Sequence, residues 1–216
     1  KKILKKFATS INLNILERLS AYPMHKKISE NNKYKIFQSG ELLWEDVVKT
    51  IGHNSIVTFV EFGVFEGQSI NYFSKKFIND QSKFFGLDSF EGLPENWGTL
   101  PKGNFDVHGC IPKINDQRIF FIKGLFQNSS KILLNKLSSL DLKNFIVHYD
   151  ADLYSSTLFC MCEIDKLGKD YFAIFDEYIG HECCALYNFI QSHNSKIEII
   201  SQSNTEDGYP GRLFAK

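Results

Sequence analysis

The chain has almost no arginine. Of its 25 basic residues only Arg18, Arg118 and Arg212 carry a guanidinium, and 25 acidic residues cancel the total. Nucleic-acid binders usually combine net positive charge with arginine forks for phosphate and guanine, so no nucleic-acid partner is expected. No apolar run approaches the roughly 20 residues of a membrane span, and no signal-peptide pattern is present. Stable membrane insertion is therefore not expected. The five cysteines, Cys110, Cys160, Cys162, Cys183 and Cys184, are an odd number, spaced C-x-C and C-C where they cluster. That argues against a disulfide frame, and against a zinc site from Cys160, Cys162, Cys183 and His181, because zinc hairpins use C-x2-C. Reduced thiols packed as small hydrophobes suit a cytoplasmic protein. Internal repeats, low-complexity tracts and Pro/Gly-rich linkers are also missing. The 216 residues, 43% hydrophobic, fit a single domain with a sizeable core.

What is present is alternation. Short β-rich runs read as strands at 56–62, 83–88, 118–123, 144–150, 170–176, near 196–201 and at 211–215. Helical stretches fall between them at about 41–52, 67–79, 126–138, 154–167 and 181–193. Apolar strands alternating with helices predict a mostly parallel α/β sheet covered on both faces, with ligands at the carboxyl ends of the strands. Ahead of this core (55–216), Ile3, Leu4, Phe7, Ile11, Ile15 and Leu19 are near helical spacing, with Lys1, Lys2, Lys5 and Lys6 at the start. Such a helix can lie on a membrane; a docking helix with a solvated lysine face is the preferred reading.

The first strand ends in VEFGVFEGQS, offering Glu61, Gly63, Gly67 and Ser69. Glycines there allow a tight turn and close approach of backbone to ligand. The run is not G-x-G-x-x-G. Asp88 closes the next strand 21 residues beyond Gly67, where an acidic side chain accepts hydrogen bonds from ribose hydroxyls in dinucleotide folds. NAD needs a glycine-dense turn for its pyrophosphate, whereas S-adenosylmethionine has none. The looser pattern, with Glu61 beside it, suits S-adenosylmethionine; Ser89, Gly124 and Asp150 join the cofactor candidates. The bland alternative is that Gly63 and Gly67 serve close packing and Asp88 a turn.

Two later strands also end in carboxylates, Asp150 with Asp152 and, 26 residues after Asp150, Asp176 with Glu177. A right-handed crossover makes the strands neighbours, about 4.8 Å apart. Carboxylates so close repel unless a cation intervenes, and all-oxygen donors favour Mg²⁺, Mn²⁺ or Ca²⁺ over zinc. Asp152 reads equally as a cap of the helix starting near Leu153 or as a general base. His148 reads as a hydrogen-bonded core residue or as a second catalytic group. His181 and Glu182 either contact substrate or cap the following helix. The long connection 91–115 reads as a lid or a surface loop, making Trp97, Phe105 and His108 substrate candidates together with Tyr154.

VEFGVFEGQS, GLDSFEGLPENW, HYDADLYSST and FDEY followed by HE together resemble the macrocin O-methyltransferase family, from Phe59 to about Phe189. The resemblance implies a seven-stranded Rossmann-like sheet with a reversed last strand, bound S-adenosylmethionine and Mg²⁺ (or Mn²⁺), and methylation of a sugar hydroxyl. It implies Asp150, Asp176 and Glu177 as metal ligands and Asp152 as base. Members often read Asp-Asp-Tyr where this chain has Asp-Glu-Tyr, which puts direct ligation by Glu177 in doubt. For residues 1–40 it implies a lid and subunit contacts, as in a homodimer. A phenol or catechol acceptor, or a non-catalytic cofactor-binding protein, are the competing readings.

Overall fold

The strands of this chain are apolar at consecutive positions, which a sheet tolerates only when both faces are covered. The computed structural model describes residues 13–30 and 32–216, with side chains from Arg18 onward. Its elements run α1 (Leu13–Ser29), β1 (Lys35–Phe37), α2 (Gly40–Ile51), β2 (Thr58–Phe62), α3 (Gln68–Lys76), β3 (Lys83–Asp88), β4 (Ile119–Lys123) and α4 (Phe126–Leu137). There follow β5 (Phe145–Tyr149), α5 (Tyr154–Asp165), β6 (Phe172–Phe175), a widened turn (Tyr178–Glu182), α6 (Cys183–His193), β7 (Ile199–Asn204) and β8 (Pro210–Ala215). The strands form one sheet in the order β1-β7-β8-β6-β5-β2-β3-β4. Neighbours are parallel except where β8 pairs with β6 and β7. This is the expected Rossmann-like α/β sheet with a reversed last strand, but with eight strands instead of seven. The extra one, β1, is a three-residue edge strand beside β7, too short to show any periodicity in the sequence.

Alternate side chains leave a strand on opposite faces. Val60, Phe62, Phe85, Leu87, Val147, Tyr149 and Phe175 pack toward α1, α4, α5 and α6, while Phe59, Phe84, Ile146, Ile174 and Phe214 pack toward α2 and α3. Burying each such side chain contributes about 1.5–3 kcal/mol. None of the five cysteines forms a disulfide, and Cys160 and Cys183 are buried. Among the described residues no helix is long and apolar enough to cross a membrane.

The helix expected over the first twenty residues lies largely outside the described part. What is described runs on through Pro23 to Ser29 and packs on the 178–182 turn and α6. There His25 Nδ1 lies 3.1 Å from the Tyr178 hydroxyl, and Cys183 Sγ donates to the Ala21 carbonyl. From β2 the chain builds β3 and β4 on one side, then crosses to β5 and β6 on the other. The adjacent carboxyl ends of β2 and β5 are thus the topological switch point, where open α/β sheets bind ligands.

Candidate active site

Backbone hydrogen bonds carry the sheet's ladder to its rim. The Gly124 N–H donates to the Asp88 carbonyl, Gly63 to Leu87 and Asp150 to Phe62, each at 2.9 Å, and Asp176 donates to Tyr149 at 3.0 Å. Two glycines and three aspartates therefore stand side by side at the strand ends. A Cβ on Gly63 would overlap the Asp150 carbonyl oxygen, and its φ of 92° is one that side chains rarely adopt. Only glycine fits there. Above this rim opens a cleft of about 290 Å³, lined among others by Gly63, Phe65, Asp88, Ser89, Gly124, Phe126, Asp150, Asp152, Asp176 and Glu177. Its mouth carries Trp97 and Phe105 from the 91–115 connection.

Asp88 ties two loops together. Its Oδ2 accepts the Val64 and Phe65 N–H groups, both at 2.8 Å, and its Oδ1 accepts the Phe90 N–H at 2.7 Å. A carboxylate has about four acceptor sites, so roughly one stays open toward the cleft.

Three of the expected cofactor residues do not reach the cleft. Gly67 starts α3, with Pro112 and Ile114 over it. Glu61 has the parity of Phe59 and so points under the sheet toward α2 and α3, where Ser69 Oγ donates to its Oε1 at 2.5 Å. Strand register then extends a polar row across that face. His148, paired with Glu61 across β2 and β5, places Nδ1 2.8 Å from Glu61 Oε1 and Nε2 3.3 Å from Asp176 Oδ1. Arg212 on β8 grips Asp176 from the other side, Nε to Oδ1 at 2.5 Å and Nη2 to Oδ2 at 3.1 Å. The Arg212 guanidinium lies 4.6 Å over the Trp44 ring, which closes the row, and passes so near Gly40 that a Cβ there would overlap it. Burial works against charge on His148, but its hydrogen bonds to Asp176 and Glu61 outweigh that and lift its pKa to about 10. At neutral pH the ring is an imidazolium, fully buried, donating on both sides. That corrects the catalytic expectation for His148: it has no free lone pair and no access to substrate.

The same row splits the carboxylates into two kinds. Burial alone would raise the Asp176 pKa, yet the His148 hydrogen bond and the Arg212 charge hold it below the usual carboxylate range. Asp150 has no hydrogen-bonded cation among the described residues, and burial followed by the Asp176 charge pushes it well up against a smaller opposing effect of His148. Asp152 is pushed up to about 7 by burial, then by Glu177, Asp176 and Asp88. Glu182 is fully buried, raised by burial and then by Asp150, Asp152, Asp176 and Glu177. Neither of its oxygens has a hydrogen-bond partner among the described residues. It holds the N-cap position of α6, but its side chain makes no cap hydrogen bond. Among the described residues no three Asp, Glu, His or Cys side chains are arranged around a common metal position.

The structure removes one of the two readings of Asp152 that the sequence left open, the cap. Leu153, not Asp152, is the N-cap of α5, with no side-chain cap. Asp152 instead holds a left-handed backbone, φ 58°, and lines the cleft. Other expected substrate residues scatter. Trp97 and Phe105 line the cleft, and Phe105 meets Phe65 edge to face at 5.7 Å. His181 lines an adjoining recess of about 140 Å³ with Arg18, Trp97 and Glu177. His108 is a correction: its side chain is 90% exposed beside Asp106, away from the cleft. Tyr154 is another; its hydroxyl accepts from Asn188 Nδ2 at 3.0 Å, and it does not line the cleft. Phe65, Phe126, Gln127 and Arg212 went unread, although a lone arginine in an apolar strand ending was a usable signal.

No protein-family model matches the chain, and no curated protein sequence does. In fold it is similar to an O-methyltransferase from Bacillus cereus solved in complex with SAH, at 13% identity over 92% of this chain and 89% of that one, with a TM-score of 0.54. It is likewise similar to cofactor-bound Rv0187 from MTB, at 14% identity over 99% and 94% of the two chains, with a TM-score of 0.50. Such identities establish the Rossmann-like α/β fold and nothing finer.

Proposed function

We propose that this chain is an S-adenosylmethionine-dependent O-methyltransferase acting on a hydroxyl of a small, sugar-containing acceptor. The observation that carries the reading is Asp152, a carboxylate held on a left-handed backbone in the cleft at the switch point and unused as a cap. A general base must reach the hydroxyl proton, and Asp152 stands on the wall that Asp88 and Gly63 share. The fold neighbour from Bacillus cereus was solved with SAH, which supports the same cofactor here.

The cleft fits S-adenosylmethionine in kind. Gly63 clears backbone space, Asp88 keeps an acceptor position for a ribose hydroxyl, and Ser89 with Gly124 flanks it. The cofactor would supply the methyl group on its sulfonium. Asp152 takes the acceptor proton, Phe65, Trp97 and Phe105 shield the mouth from water, and the buried Glu61–His148–Asp176–Arg212 row keeps the rim rigid.

The carboxylate oxygens that Asp150 and Glu177 present to the cleft suit in kind a hard divalent cation, Mg²⁺ or Mn²⁺. Asp176 suits it less, its oxygens being engaged by Arg212 and His148. A bound cation would acidify and orient the acceptor hydroxyl. The reading is tested by release of S-adenosylhomocysteine across a panel of sugar nucleotides and phenols, with and without EDTA. Turnover of sugar hydroxyls that EDTA stops is expected. Turnover of phenols alone would move the acceptor class, and cofactor binding with no turnover on any acceptor would make the chain a binding module.

A further inference from the structure

Trp97 and Glu177 line both the cleft and the adjoining recess of about 140 Å³. A molecule whose hydroxyl meets Asp152 therefore has a continuous lining to follow out of the cleft. Arg18, Thr99 and His181 supply the other polar side chains of the recess, drawn from α1, the 91–115 connection and the 178–182 turn. Arg18 brings a guanidinium, charged at every working pH and forked to meet two oxygens at once. It is positioned by residues that do not line the recess. Its Nη1 lies 3.6 Å from Asp207 Oδ2, and its guanidinium carbon 5.7 Å over the Tyr209 ring, both on the turn between β7 and β8. An ion pair at 3.6 Å, with the Asp207 side chain 76% exposed, is weakly held, so a ligand oxygen competes with it.

We propose that this recess is the far subsite of the acceptor, where Arg18 recognises an anionic group, a phosphate or carboxylate, carried by the sugar. The inference rests on the methyltransferase reading above and narrows its acceptor to a phosphorylated or acidic sugar. A guanidinium meets either anion through two parallel N–H···O bonds, which fix orientation as well as charge. Trp97 stands where cleft and recess meet, an apolar face beside convergent polar groups, as ligand sites are commonly built. The competing role for Arg18 is only to balance Glu177, whose pKa burial and then Asp176 raise, while Arg212 and Arg18 act against the rise.

Calorimetric titrations into the S-adenosylhomocysteine complexes of wild type, Arg18→Gln and Arg18→Lys separate the two roles. Glucose 1-phosphate, UDP-glucose and glucuronate are the anionic probes, and glucose is the neutral one. At least one anionic probe should bind wild type tenfold or more tightly than glucose does. Arg18→Gln should abolish that preference, and Arg18→Lys, which keeps the charge without the fork, should retain part of it. Cofactor-product affinity and thermal midpoint should hold in both variants. The probe that loses most in Arg18→Gln identifies whether phosphate ester, diphosphate or carboxylate is the group read. Equal affinity for anionic and neutral probes in wild type overturns the proposal, as does an anion preference that survives in Arg18→Gln. Uniform weakening of all four probes with a lowered thermal midpoint also overturns it, leaving Arg18 a support of α1. S-adenosylhomocysteine binding, titrated first in every sample, reports the methyltransferase reading. Its absence from wild type overturns both readings, whereas its presence without anion preference overturns the subsite alone.

Discussion

Asp152 carries a backbone strain of order 1 kcal/mol that no cap or hydrogen bond in α5 repays locally. Strain of that kind persists where a side chain must be aimed, and here the aim is into the cleft. Asparagine tolerates the left-handed region as well as aspartate does, so Asp152→Asn should leave the thermal midpoint and cofactor affinity unchanged. Turnover should fall by about 10²–10⁴, the usual worth of a positioned general base. A wild-type rate in that variant would place proton removal elsewhere. His148 offers no fallback, because its imidazolium donates to Glu61 and Asp176 and never meets solvent. Asp152 also shows where sequence reasoning stopped. Cap and base use the same residue at the same spacing, and only the φ angle, fixed by how β5 hands over to α5, distinguishes them.

Secondary-structure elements are locked together by polar groups at their ends. Arg118, just before β4, donates to the carbonyls of Ser74 and Phe77 at 2.6 Å and Asn79 at 2.9 Å, and its fork is held by Asp116. These carbonyls belong to the end of α3 and the turn beyond it, groups that no intrahelical donor satisfies. Lysine cannot reproduce the fork. Arg118→Lys should therefore lower unfolding free energy by about 2 kcal/mol, measured by urea denaturation. At the other end of the molecule α1 is joined to the 178–182 turn through His25 and Tyr178. Burial lowers the His25 pKa below its ordinary 6.5. As pH falls through 6.5 the unfolded chain takes up this proton before the folded one does, so stability is lost on acidification and is unaffected above that value. His25→Gln should remove part of the loss in thermal midpoint between pH 7.5 and pH 5.5; an unchanged loss would show that another group drives it. The elements themselves were mostly legible. Strand 83–88 is read from its own apolar run, whereas β1 has too few residues to show a pattern. Tyr178–Glu182 was hidden because its glycine-bearing turn looks like the start of α6.

At the scale of the whole molecule, one sheet sorts its chemistry by level. The rim holds Gly124, Asp88, Gly63, Asp150 and Asp176 side by side, and the layer beneath α2 holds Glu61, His148 and Arg212. The rim was legible because strand ends are local in sequence. The buried row was not, since it joins β2, β5, β6 and β8 through a register that includes an antiparallel strand from the far end of the chain. That separation explains why Glu61 and Ser69, expected at the cofactor, stand below it as supports. The central claim is that the cleft above the rim is built for S-adenosylmethionine, and a calorimetric titration tests it most directly. S-adenosylhomocysteine and NAD⁺ are each titrated into wild type and Asp88→Ala, with thermal midpoints confirming that the variant is folded. One-site binding of S-adenosylhomocysteine, weakened about tenfold or more by Asp88→Ala, is the expected result, because losing a charged partner of a hydroxyl costs about 1.5–3 kcal/mol. Binding of NAD⁺ in its place, or an S-adenosylhomocysteine affinity untouched by the loss of Asp88, would contradict it.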